Sequence, residues 1–131
     1  MSEFIDLSPN PASVARARHW SRQVVAPVGG VEVVDTVALL VSELVSNVVL
    51  HANTPCSLRI DPGTERIRVE VQDLSDRLPE SAPMPDPLCG SGRGLHLVRA
   101  LSTAHGIEAD PAGGKRVWFE VDLAAGGAVE Q

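Results

Sequence analysis

The chain has 131 residues and a mass of 13.9 kDa, enough for one domain and too little for two of ordinary size. Hydrophobic residues make up 44% and charged residues 21%, which supports a core and excludes wholesale disorder; aromatics at 3%, with no Tyr, leave that core to Val, Leu, Ile and Ala. A net charge of −6 excludes a general nucleic-acid binder, which needs a basic footprint, but not a small phosphorylated ligand held by backbone N–H groups and Mg2+.

Phe4, Ile5 and Leu7 give a short extended start, and the first six residues lack the basic-then-apolar pattern of a signal peptide. Ser8-Pro9-Asn10-Pro11 supplies turn and helix-start chemistry. A helix is predicted over 11–25, with Val14, Ala17, Ser21, Val24 and Val25 on one side, ended by Pro27 and Gly29-Gly30. The strongest periodicity follows: Val37, Leu40, Val41, Leu44, Val45 and Val48 predict a helix over 34–52, closed by Asn53-Thr54-Pro55. Residues 57–60 and 66–72 read as strands, the second alternating cleanly. The Pro- and Gly-rich segment 78–94 breaks every pattern, and loops of that length in compact domains are usually functional or disordered. A helix is predicted after Gly94, with Leu95, Val98, Leu101 and Ser102 on one face. Residues 106–109 and 116–121 then form a closing hairpin around 110–114. The tail 124–131 is expected to fray.

Helices followed by a mostly antiparallel strand set with one inserted helix predict an α+β two-layer sandwich, a mixed sheet covered by helices on one face, in a single domain over 1–131. Cys56 and Cys89 have no CxxC partner, which fits a reduced, intracellular chain. Apolar stretches are interrupted before they reach bilayer length, so a cytoplasmic location with no membrane contact is expected.

Three groups of residues carry candidate chemistry. Glu43, Asn47 and His51 are spaced i, i+4, i+8 and form one helical stripe. An Asn oxygen together with phosphate oxygens suits Mg2+, and Glu43 is then placed to accept a proton; a solvated helix face is the alternative. Asp73 ends the alternating strand and can accept from an exocyclic amine, or can start a turn with Ser75 and Asp76. Gly90-Ser91-Gly92-Arg93-Gly94-Leu95 runs into a helix and offers backbone N–H groups to phosphate, or serves as a linker. Its spacing fits neither a dinucleotide fingerprint nor a Walker loop. Lys115-Arg116 reads as a hairpin end with solvated charge, and His19, His96 and His105 show no ligand spacing.

The run from Glu43 to Ala52 resembles the N-box of the GHKL ATPases and, more narrowly, of the bacterial anti-sigma-factor serine/threonine kinases. Asp73-Leu74-Ser75-Asp76-Arg77-Leu78-Pro79 is similar to their first nucleotide box, Gly92-Arg93-Gly94-Leu95 to the second, and residues 113–119 to the closing strand motif. The resemblance implies a Bergerat sandwich with ATP held beneath a lid at 78–94. It implies Glu43 as catalytic base, Asn47 as the Mg2+ ligand, and Asp73 as acceptor of the adenine amine. His51, Ser75, Gly92, Arg93, Gly94 and Leu95 would complete the nucleotide contacts. The implied reaction transfers the ATP γ-phosphate to a Ser or Thr of an anti-anti-sigma partner, in competition with sequestration of a sigma factor; homodimers are common among such proteins. A non-catalytic ATP-binding regulator acting by partner binding alone is the second reading. An orphan histidine-kinase-like domain is disfavoured, because no dimerisation helix pair fits the length. Ser75, Gly90 and Arg116 depart from the family pattern and bear on the efficiency of transfer.

Overall fold

The computed structural model describes residues 2–75 and 90–123, and of residues 90–95 the backbone alone. Residues 78–89 of the expected lid and the tail 124–131 lie outside the described residues. In chain order the elements are β1 (Glu3–Leu7), α1 (Ala12–Val25), α2 (Val31–Asn47), a π-helical turn (Val48–Ala52), β2 (Cys56–Pro62), β3 (Arg66–Asp73), α3 (Gly90–Leu101), β4 (Ala104–Ala109) and β5 (Lys115–Asp122). The strands form one sheet in the order β1-β2-β3-β5-β4. Every pairing is antiparallel, so the mixed sheet expected from sequence is replaced by a fully antiparallel one among the described residues.

Side chains alternate across the sheet, and that alternation divides the molecule into layers. Leu58 and Ile60 of β2, Ile67, Val69 and Val71 of β3, and Val117, Phe119 and Val121 of β5 are buried on the helix side. The helix layer is centred on α2, which packs against both α1 and α3. Val37, Leu40, Val41, Leu44 and Val45 are its core contribution, each burial stabilising by roughly 1.5–3 kcal/mol. By length and composition alone the stretch Val31–Ala52 is long and apolar enough to cross a membrane, contrary to the expectation of interrupted apolar runs. Its apolar face is instead closed against the sheet, as in the core helix of a soluble domain.

Helix boundaries follow local chemistry. Asn10 Oδ1 accepts the Ala12 N–H at 2.8 Å and starts α1. The buried face of α1 is Ser13, Ala17, Ser21 and Val25, while Val14 and Val24 are only partly buried. α2 begins three residues before the predicted start because extended Gly30 caps it, accepting from Val34 N–H at 2.9 Å. α3 begins at Gly90 rather than after Gly94, so the glycine run forms its first turn. Glycine costs helix about 0.8–1.0 kcal/mol per residue relative to Ala but is sterically compatible with it, so propagation carries the helix back through the run.

On the helix-free face the charged side chains pair with one another. Arg66 contacts Glu120 and Asp122, both at 3.0 Å, and Arg68 joins Glu70 and Glu120 while lying 4.2 Å from the Trp118 ring. The Arg66 hydrogen bond, assisted by Arg68 and opposed by desolvation, holds the Glu120 carboxyl below its ordinary range.

Cys56 is buried at the start of β2, opposite Asp73. Desolvation first, then Asp73 and Asp6, push its thiol up to about 11. The unfolded thiol ionises near 9.0, so this group's share of stability is present below pH 9 and lost as pH rises toward 11. At pH 8, peptide mapping after exposure to a thiol-specific alkylating reagent should find Cys56 unmodified in folded protein and modified in denaturant. Rapid labelling of folded protein would refute its burial.

Candidate functional site

Three segments meet at one end of the sheet. α2 runs into the π-turn, whose extra residue is marked by the Asn53 N–H donating to Val48 O at 2.7 Å. Asn53 then takes a left-handed conformation, φ 54, which short polar side chains tolerate, and turns the chain toward β2. Thr54 Oγ1 accepts the Leu74 N–H at 3.1 Å, tying the end of the π-turn to the end of β3. Cys56 pairs with Asp73, and Asp73 pairs with Lys115 on its other side. The C-terminal end of α2, the carboxyl end of β3 and the start of β5 therefore share one corner.

Ser102 and Thr103 join α3 directly to β4, with Thr103 N–H bonded to Glu120 O at 2.7 Å at the opposite end of the sheet. From there α3 lies back over the layer, packed on α2 with Val98 in the core. The first four N–H groups of a helix have no intrahelical partner, and those of residues 90–93 stand at the start of α3. The side chains of Arg93 and Leu95 are outside the described ones, as is any contact they make.

Glu43 and Asn47 are half-buried on α2, one turn apart, as the stripe predicts. His51 is exposed, because the π-turn adds a residue per turn and rotates it off that stripe. Asn47 makes no side-chain hydrogen bond among the described residues, and its amide oxygen is of the hard kind Mg2+ accepts. That donor fits a magnesium ion of the kind that accompanies a nucleotide; Asn47 would hold the ion through its side-chain oxygen.

Asp73 is 3% exposed, and among the described residues its carboxylate accepts two hydrogen bonds and makes one further ion-pair contact. The Ser75 N–H donates to Oδ1 at 2.9 Å, while Lys115 Nζ lies 2.9 Å from Oδ2 and 3.1 Å from Oδ1. Lys115 is 7% exposed, so its reading as solvated charge at a hairpin end is corrected: it is the buried partner of Asp73. Its place in a basic pair after two glycines gave no sign of this, since only the β3–β5 register sets it opposite a carboxylate. Arg116, one residue on, does point to the open face, toward Glu70, Glu108 and Asp110.

The same corner is braced by the β4–β5 turn. Asp110 Oδ1 accepts the Ala112 N–H, and the Gly113 N–H returns to Asp110 O, both at 2.9 Å. Gly113 and Gly114 have φ of 108 and 91, and a Cβ on Gly114 would stand 2.2 Å from Asp73 O. Backbone thus touches backbone directly behind the carboxylate.

A family model described as a histidine kinase-like ATPase domain matches residues 7–121. No curated protein matches the chain. Among solved structures, the chain is similar to the RsbU and RsbW domains of Rv1364c from Mycobacterium tuberculosis, with a TM-score of 0.71 and 18% identity. That match covers 94% of this chain and 32% of the other, so the chain spans about a third of that protein's length. It is also similar to the histidine kinase domain of a blue-light activated histidine kinase from Erythrobacter litoralis EL346. There the TM-score is 0.60 at 22% identity, over 91% of this chain and 63% of the other.

Proposed function

The chain belongs to the histidine kinase-like ATPase domain family, and from that premise we propose that it is an ATP- and Mg2+-dependent protein serine/threonine kinase of the anti-sigma-factor type. In this reading it phosphorylates a Ser or Thr of an anti-anti-sigma partner in the cytoplasm, and in its other state sequesters a sigma factor. What supports the reading is the family match over residues 7–121, together with the corner where the end of the π-turn meets the end of β3 and the start of β5 at Asp73. In this reading Asn47 supplies a metal ligand, Asp73 a base acceptor and the Gly90 end of α3 a phosphate-facing helix start, from segments far apart in sequence.

The chain's own residues divide the work. Asp73 accepts from the base, and the N–H groups of the glycine run hold phosphate oxygens. Asn47 fixes the ion, which when bound neutralises charge on those oxygens. Glu43, one turn before Asn47, accepts the proton of the attacking Ser or Thr hydroxyl. Positioning and electrostatics of this kind provide most of the catalysis in phosphoryl transfer.

The test is incubation with Mg-ATP and a candidate anti-anti-sigma protein, followed by mass spectrometry. One added phosphate on a Ser or Thr of the partner is expected. ATP bound in calorimetry without transfer to any such partner favours the non-catalytic regulator, and no nucleotide binding at all defeats both readings.

A further inference from the structure

The buried pair at the base end of the site offers more than an acceptor. A carboxylate has about four lone-pair positions, and among the described residues Asp73 uses three, two hydrogen bonds on Oδ1 and the ion-pair contact on Oδ2. Its remaining position is on Oδ2, the oxygen 2.9 Å from the Lys115 ammonium. That ammonium carries three N–H donors and meets only the two Asp73 oxygens among the described residues. One acceptor and one donor therefore stand side by side, about a hydrogen bond's length apart.

The six-membered edge of adenine presents the complementary order: a donor at N6 next to an acceptor at N1. Resting on the nucleotide reading of this site, we propose that Lys115 reads the base: its ammonium donates to N1 of adenine while Asp73 accepts from the N6 amine. Asp73 alone would satisfy N6 and leave N1 unpaired in a desolvated corner. Guanine in the same seat is wrong at both points, since O6 meets the carboxylate and N1–H meets the ammonium. Lys115 thus adds a second mismatch to the one that Asp73 imposes.

The test needs no mutation to begin with. Calorimetry on the unaltered protein compares Mg-ATP with Mg-1-deaza-ATP, in which C–H replaces N1. Binding of the deaza nucleotide about tenfold weaker is expected, the loss of one charge-assisted hydrogen bond. Equal affinities would overturn the role of Lys115 and leave the nucleotide reading standing, whereas binding of neither nucleotide would defeat that reading itself. Lys115→Met provides the second arm: ATP should weaken by about the same factor, 1-deaza-ATP should be unaffected, and preference over GTP should narrow. If the variant loses ATP and 1-deaza-ATP equally, or does not fold while the unaltered protein binds both alike, Lys115 is structural only and the proposal is wrong.

Discussion

Replacing Glu43 with Ala is expected to lower phosphoryl transfer to the partner by about a hundredfold to ten-thousandfold, the usual worth of a positioned general base. Nucleotide affinity should hold, because the base and phosphate contacts assigned above come from other segments. The side chain lies on the half-buried flank of α2. The opposite flank, with Val37, Leu40, Val41, Leu44 and Val45, fixes the helix against the sheet and is untouched by the change. Glu43→Gln separates the two roles open to a carboxylate here: it keeps size and hydrogen-bonding reach but cannot take a proton. Single-turnover transfer, measured beside ATP affinity and the urea midpoint, reads the outcome. A Gln variant transferring at the original rate would remove Glu43 as the base, and a loss of ATP binding in step with rate would make it a ligand contact instead.

The largest effect on stability is expected at Gly114. Its φ of 91 is one that L-residues pay roughly 1–2 kcal/mol to adopt. An added Cβ would also stand 2.2 Å from Asp73 O and 3.1 Å from Leu74 Cα, both backbone atoms that move only with their strand. Forced expansion of this sort costs about a further 1–3 kcal/mol. Gly114→Ala should therefore lose roughly 2–5 kcal/mol in urea unfolding and weaken nucleotide binding by displacing Asp73. Gly113→Ala is the control, since φ is 108 there but nothing lies within 4 Å of the added carbon. It should show the conformational cost alone, about 1–2 kcal/mol. Equal losses at the two positions would mean that the close approach of β5 to β3 contributes nothing.

Much of the scaffold was legible before folding because it is written in short-range periodicity. The 3.6-residue recurrence from Val37 to Val48 marks the residues that α2 and the start of the π-turn bury, and all six are buried. The twofold alternation in β3 places Ile67, Val69 and Val71 inward and leaves Arg66, Arg68 and Glu70 to pair on the open face. Glycine and proline blurred the ends of elements. Gly30 starts α2 earlier than its apolar pattern does, and α3 absorbs the glycine run that reads as a linker. Glycine's permissiveness makes both outcomes compatible with the same letters.

The candidate site was legible to the extent that its residues lie close in sequence. Glu43 and Asn47 stand one turn apart in any α-helix, so their common stripe follows from the sequence directly. His51 does not follow, since whether a helix ends in an α- or a π-turn depends on what its last residues pack against and where the chain must go next. Here the Thr54 contact to Leu74 and the entry into β2 draw the chain into the wider turn.

By itself, then, the sequence determined the layers, the inward faces and the boxes that place the chain among histidine kinase-like ATPase domains. Each of these rests on patterns a few residues long. The tertiary structure alone decided that Lys115 leaves solvent for Asp73, 42 residues away, and that Gly114 backs directly onto the same carboxylate's strand. Both depend on the register of β3 against β5, which is fixed by the joint burial of Ile67, Val69, Val71, Val117, Phe119 and Val121. A slip of one residue would turn every one of those side chains to the wrong face. The core therefore holds the ion pair in place, and no local feature around Lys115 announces it.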